Sequence, residues 1–112
     1  MKPRFSKAVI GVINADNPDW RMNSFLTAGD INGDGKVDLV ASGWNGRMAW
    51  LENRGRAPWV EHVIDDTVKD VECGGCLLDL TGNGRLDVIC GSARGGEVWW
   101  WANPGPGGGA WK

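Results

Sequence analysis

Apolar residues in this chain fall in short runs that alternate with polar positions and are cut by Gly, Asn and Asp. No run of Ala, Leu, Glu and Lys repeats at helical spacing. Alternation between clusters of turn residues predicts strands. They are expected at 7–12, 24–30, 39–43 and 47–53, then at 60–65, 75–79, 88–91 and 97–103. Asn45-Gly46 and Arg94-Gly95-Gly96 carry the chemistry of tight hairpin turns. The fold class read from the pattern is all-β.

The pattern also repeats. Asp30-Ile31-Asn32-Gly33-Asp34-Gly35-Lys36-Val37-Asp38 aligns without a gap on Asp79-Leu80-Thr81-Gly82-Asn83-Gly84-Arg85-Leu86-Asp87. After one inserted residue, Met48-Ala49-Trp50-Leu51-Glu52-Asn53 aligns on Val98-Trp99-Trp100-Trp101-Ala102-Asn103. Upstream, Phe5-Ser6-Lys7-Ala8-Val9-Ile10 aligns on Trp59-Val60-Glu61-His62-Val63-Ile64, and Ala110-Trp111-Lys112 resembles the opening of a third copy. The expected organisation is two units, 1–58 and 59–112, each of four strands. A repeat of roughly 50 residues with four strands has the size of one β-propeller blade. A blade is apolar on both faces, and burial is worth about 25 cal/mol per Å². Two blades alone would leave two sticky faces. The expectation is therefore a piece of a longer propeller, or a homo-oligomer in which a trimer gives six blades and a tetramer eight.

The Asp-rich loops carry the clearest chemistry. In the first, oxygen side chains stand at Asp30, Asn32, Asp34 and Asp38, and the carbonyl of Lys36 can add another. Ca²⁺ takes six to eight oxygens, and alternate residues of a tight loop can aim them at one point. Gly33 and Gly35 permit the curl. An EF-hand would need a Glu at the twelfth position, where Ala41 stands, and helical flanks; this loop joins two strands. The second loop keeps Asp79 and Asp87, with Thr81, Asn83 and the Arg85 carbonyl between them. With two carboxylates in place of three, it is expected to bind calcium more weakly. The alternative for both loops is a plain turn in which Asp and Asn cap backbone amides.

This motif, followed by an apolar strand and then Trp50-Leu51-Glu52-Asn53 or Trp100-Trp101-Ala102-Asn103, resembles the FG-GAP/VCBS repeats. The resemblance runs through both units. It implies calcium-binding propeller blades, as in integrin α-subunit heads and fungal propeller lectins, and an extracellular or cell-surface setting. It implies calcium ligands at Asp30, Asn32, Asp34, the Lys36 carbonyl and Asp38, and at Asp79, Thr81, Asn83, the Arg85 carbonyl and Asp87. The Phe-Gly and Gly-Ala-Pro signatures of integrin-type repeats are absent, which places the chain nearer the VCBS and lectin side.

Composition narrows the functional classes. The net charge of −2 and the lack of a basic block argue against nucleic acid. No segment approaches the ~18 apolar residues of a membrane span, and no signal peptide is visible. Cys73, Cys76 and Cys90 are odd in number, and Cys73-Gly74-Gly75-Cys76 has no second pair to close a zinc site. Of eight Trp, Trp50 with Trp100 and Trp59 with Trp111 obey the repeat and are expected in the core. Trp20 and Trp44 lie in predicted loops, where an indole can pack inward or stack on a sugar ring. His62 aligns with Ala8 and reads as a filler rather than a general base. No serine elbow or zinc-protease motif is present, so a non-enzymatic module with a possible glycan ligand leads. A fragment of a polysaccharide lyase, or a designed or excised structural repeat, is the alternative.

Overall fold

The computed structural model describes residues 1–20, 23–69, 71, 74–93 and 95–112. Seven strands form among them: β1 (Phe25–Gly29), β2 (Asp38–Ser42), β3 (Met48–Glu52), β4 (Val60–Asp65), β5 (Gly75–Leu78), β6 (Asp87–Gly91) and β7 (Val98–Trp101). They build two antiparallel sheets, β1-β2-β3-β4 and β5-β6-β7. The described residues are all-β, with no helix and so none long and apolar enough to cross a membrane.

Alternation explains how the sheets meet. Side chains point to opposite faces along a strand, so β2 sends Val40 one way and Leu39 and Ala41 the other. Val40 joins Phe25 and Met48 in a core shared with Val88, Cys90 and Trp101 of the second sheet. Fully burying a side chain such as Phe25 or Met48 stabilises by about 1.5–3 kcal/mol. Trp99 and Trp101 meet edge to face with centroids 6.0 Å apart. Gly29 lets the sheets approach closely, because a Cβ there would lie 2.8 Å from the side chains of Leu77 and Leu86. The other face of the first sheet packs Ala41, Ala49 and Leu51 against Ile13, Trp20 and Trp59.

The hairpin turns use the expected chemistry. Asn45 adopts φ 60°, and the Gly46 amide donates to the Gly43 carbonyl at 3.2 Å. Arg94 lies outside the described residues; beyond it, Gly95 and Gly96 take positive φ, and the Ser92 amide donates to the Glu97 carbonyl at 2.9 Å.

Two expectations are corrected. Residues 7–12 form no strand, and residues 1–9 are exposed. A strand needs an edge to pair with, and the edge of β3 is taken by β4. Ile10 instead offers its carbonyl to the Trp59 amide at 2.7 Å. The strand at 60–65, expected to open the second unit, is the fourth strand of the first sheet, pairing Trp50 with His62 and Glu52 with Val60. The sequence boundary at 58/59 thus falls within the span of the four-stranded sheet. The second sheet has three strands, although Lys112 exchanges backbone bonds with Ala102 beyond the end of β7, at 2.7 and 3.4 Å.

Candidate cation loops and the cleft beside them

The loop between β1 and β2 is organised by Asp30. Its Oδ1 accepts the amides of Gly33 (2.8 Å) and Asp34 (3.1 Å), and its Oδ2 accepts that of Gly35 (2.8 Å). Gly33 and Gly35 stand at φ 77° and 85°, with nothing near the place a Cβ would occupy. Their requirement is conformational, since the left-handed region is costly for any other residue. Asn32 Oδ1 accepts the Asp34 amide at 3.1 Å. Asp34 in turn accepts the Lys36 amide at 2.8 Å and the Lys36 ammonium at 3.3 Å. The Lys36 amide, then its side chain, hold the Asp34 carboxyl below the usual carboxylate range.

Asp38 has a different place. It opens β2, is fully buried, and accepts the Ile31 amide at 2.9 Å on Oδ2 and the Asn53 amide at 2.9 Å on Oδ1. It ties the start of the loop to the end of β3. A buried carboxylate needs such donors, because an unpaired buried charge is prohibitively unfavourable.

The second loop makes corresponding bonds. Asp79 accepts the amides of Asn83 (3.0 Å) and Gly84 (2.7 Å). The amides of Gly84, Asn83 and Gly82 and the hydroxyl of Thr81 lower its pKa. Asn83 accepts the Arg85 amide at 2.9 Å. The Arg85 guanidinium donates to the Asn103 carbonyl at 3.0 Å, so it anchors the loop to the chain beyond β7. Asp87 is fully buried and accepts the amides of Leu80 (3.2 Å) and Asn103 (2.9 Å).

In kind, these side chains suit a hard cation, being oxygen donors throughout. In arrangement, the acidic groups are turned to backbone amides, and among the described residues no three His, Cys, Asp or Glu side chains gather as a metal site. Asp34 and Asn32 are the less committed donors. Asp34 is held largely by its own neighbour Lys36, in an exposed ion pair of a type worth at most about 1 kcal/mol.

The two tryptophans proposed for sugar stacking are half-buried. Trp20 lies against the Ala41, Ala49 and Leu51 cluster, and its ring covers Gly46 so closely that a Cβ there would sit 1.7 Å from it. Trp44 lies in the turn between β2 and β3. Neither lines the cleft beside the first loop. That cleft, about 270 Å³, lies between the first loop, the β3–β4 face and the C-terminal segment; Asn32, Trp50, His62, Asn103 and Trp111 line it.

His62 stacks on Trp50 with centroids 4.4 Å apart, and its Nε2 lies 2.8 Å from Glu52 Oε2. Arg54 also reaches Glu52, at 3.0 Å, and this guanidinium, then His62, hold the Glu52 carboxyl below its usual range. This cluster is invisible until β3 and β4 are paired. The only signal for it in the sequence is a break in the repeat, since Glu52 and His62 align with Ala102 and Ala8. Of the CxxC segment, Cys73 lies outside the described residues, and Cys76 is exposed at the start of β5. Comparison with known proteins finds no matching family model, no similar curated protein and no similar solved structure.

Proposed function

We propose that the chain is a non-enzymatic, calcium-binding repeat module of a β-propeller, in which the Asp-rich loops bind calcium structurally and several copies complete the ring. The observation that carries this reading is the paired loop construction. Each loop is curled by two left-handed glycines, tightened by Asp30 or Asp79, and latched to the sheet by a buried Asp38 or Asp87. The calcium ligands are Asp30, Asn32, Asp34, the Lys36 carbonyl and Asp38. The corresponding set is Asp79, Thr81, Asn83, the Arg85 carbonyl and Asp87. Asp34, held largely by Lys36, would be the carboxylate most readily turned to the ion, with the Lys36 ammonium giving up its pairing. Buried Asp38 acts chiefly as the latch. Only two carboxylates stand in the second loop, so it is the weaker site.

Calcium titration by calorimetry, with thermal melting in calcium and in EDTA, tests the reading. The expected result is a calcium-dependent rise in Tm that Asp34→Asn diminishes strongly and Asn83→Ala only slightly. An identical melt in calcium and EDTA overturns it.

A glycan is the ligand class that the cleft favours, because Trp111 offers apolar ring area beside the polar Asn32 and the His62 ring that stacks on Trp50. A glycan array against the parent and Trp111→Ala tests this. No binding by the parent ends the lectin reading.

A further inference from the structure

We infer that Glu52 fixes the proton of neutral His62 on Nε2 and leaves Nδ1 as a bare hydrogen-bond acceptor for the cleft. The glycan that the cleft takes is therefore an uncharged sugar that donates a hydroxyl to this nitrogen, in preference to a sugar acid. This rests on the glycan reading above; it names the class of sugar and the residue that sets it.

Strand geometry brings the three residues together. Trp50 and Glu52 stand two apart on β3 and so share a face. The β3–β4 register sets His62 opposite Trp50. The two rings stack with centroids 4.4 Å and planes 20° apart, and Glu52 Oε2 lies 2.8 Å from His62 Nε2. An imidazole held on one face and at one nitrogen has its orientation set.

The tautomer follows from the partner. An ionised carboxylate has no hydrogen to give. Glu52 is kept in that form by Arg54, which donates to Oε2 at 3.0 Å, and then by His62; its carboxyl lies below the usual range. Nε2 is therefore the donor of this bond. A neutral imidazole carries a hydrogen on one nitrogen only, so Nδ1 is an acceptor. Nδ1 makes no hydrogen bond among the described residues.

The rest of the cleft suits an uncharged ligand. No Asp, Glu, Lys or Arg side chain lines it among the described residues. The first loop brings Asn32 to the lining, but not Asp30, Asp34 or Lys36, and residues 103–111 carry no ionisable side chain. Asn103 is spent on the carbonyls of Ile31 and Leu86 and the amide of Gly105. Asn32 and His62 remain to bond a ligand, with the Trp111 ring beside them. A carboxylate would meet no cation there and would set its lone pairs against that of Nδ1. A hydroxyl both donates and accepts, so it satisfies either residue.

Glu52 does not line the cleft, so it acts through His62 and is a positioning residue. Ala102 stands in its place in the second unit. The arrangement therefore belongs to the first unit.

The test uses the full chain in calcium at about pH 8, the upper end of the range in which histidine changes charge. Nitrogen NMR shifts of the His62 ring are expected to show Nε2 protonated and Nδ1 bare. The probes are the methyl glycosides of glucose, galactose and mannose, each against the corresponding methyl uronide. A neutral sugar is expected to move the Nδ1 signal, leave Nε2 in its class, and bind about fivefold more tightly than its uronide, the worth of one net hydrogen bond. His62→Phe, which keeps a ring on Trp50 but no acceptor, should lose about the same factor. Glu52→Ala should weaken binding without touching the sugar, and Glu52→Gln, whose carbonyl accepts the same hydrogen, should restore most of it. A proton on Nδ1 in the neutral parent, an Nδ1 signal unmoved by a bound sugar, or Glu52→Ala binding as the parent does would each overturn the inference. Binding of the uronides alone would overturn it and leave the glycan reading standing, whereas binding of neither series would sink both.

Discussion

The Asn103 amide nitrogen donates to the Ile31 carbonyl at 2.9 Å, binding the end of the second sheet to the loop of the first across the core. The same nitrogen reaches the Leu86 carbonyl at 3.0 Å, the Asn103 oxygen accepts the Gly105 amide at 2.9 Å, and its own amide donates to Asp87 at 2.9 Å. One buried side chain thus connects both loops. Its counterpart Asn53 bonds the Val37 carbonyl at 3.0 Å and the Gly55 amide at 2.9 Å, but makes no bond to the other unit among the described residues.

Asn103→Ala should therefore destabilise by about 2–4 kcal/mol, since it strips partners from buried carbonyls. Asn53→Ala, at a partly exposed site, should lose roughly half as much or less. Urea unfolding of the two variants checks the order; equal losses would show that the link between loops contributes nothing.

Gly46 is a steric probe of Trp20. A methyl group at Gly46 would overlap the indole, whose nearest atom would be 1.7 Å away. Gly46→Ala must therefore push Trp20 off the Ala41, Ala49 and Leu51 cluster or shift the turn. Overpacking of this kind costs about 1–3 kcal/mol. The expected outcome is lower stability with red-shifted tryptophan emission, the shift being absent in a Trp20→Phe background. Unchanged emission would mean that the ring is not seated there, and would return Trp20 to the surface as a sugar-stacking candidate.

Ser42 offers the opposite case. It is fully buried on β2, and its hydroxyl has no hydrogen-bond partner among the described residues. Burying an unpaired hydroxyl costs about 1–3 kcal/mol by mutational measures. Ser42→Ala removes the hydroxyl with little change in volume. It should leave stability unchanged or raise it by up to ~1 kcal/mol, read as a higher urea midpoint at unchanged slope. A loss above ~1 kcal/mol would show that the hydroxyl is satisfied in solution.

Strand positions were legible because alternation and turn residues act locally. Asn45-Gly46 marked its hairpin, and the left-handed positions Gly33 and Gly35 followed from the curl of the first loop; Gly82 and Gly84, aligned with them, adopt the same conformation. Pairing was less legible. A repeat alignment says that residues 60–65 resemble residues 6–11, but not which edge either strand joins; that depends on which edges are present. The candidate site divides in the same way. Oxygen side chains at alternate loop positions were plain in the sequence. That Asp38 and Asp87 lie buried, each holding two amides, was not, because a carboxylate serves a cation or a backbone donor with the same atoms. The Glu52–His62 pair depends wholly on the β3–β4 register.

Asp65 sets the expected response to acid. It closes β4, accepts the Trp101 indole N–H on Oδ2 at 2.8 Å, and accepts the Thr67 hydroxyl and amide on Oδ1 at 2.7 Å each, with the Val68 amide at 3.3 Å. Burial raises its pKa, but these four donors together outweigh burial, and the net direction is downward. Asp34 and Asp79 are lowered as well. A carboxyl whose folded pKa lies below its unfolded value, about 3.9, stabilises fully above that value. The contribution is lost as pH falls through the folded pKa. These groups therefore leave Tm flat from about pH 7 to 5 and lower it below about pH 4. Asp65→Asn, measured in EDTA to keep calcium out of the comparison, should destabilise by about 1–3 kcal/mol at pH 6. That deficit should shrink as the pH is brought towards 2, because protonation weakens the same bonds in the parent. A deficit constant from pH 6 to 2 would show that the charge of Asp65 does not matter, and would assign its role to the hydrogen-bonded shape that Asn shares.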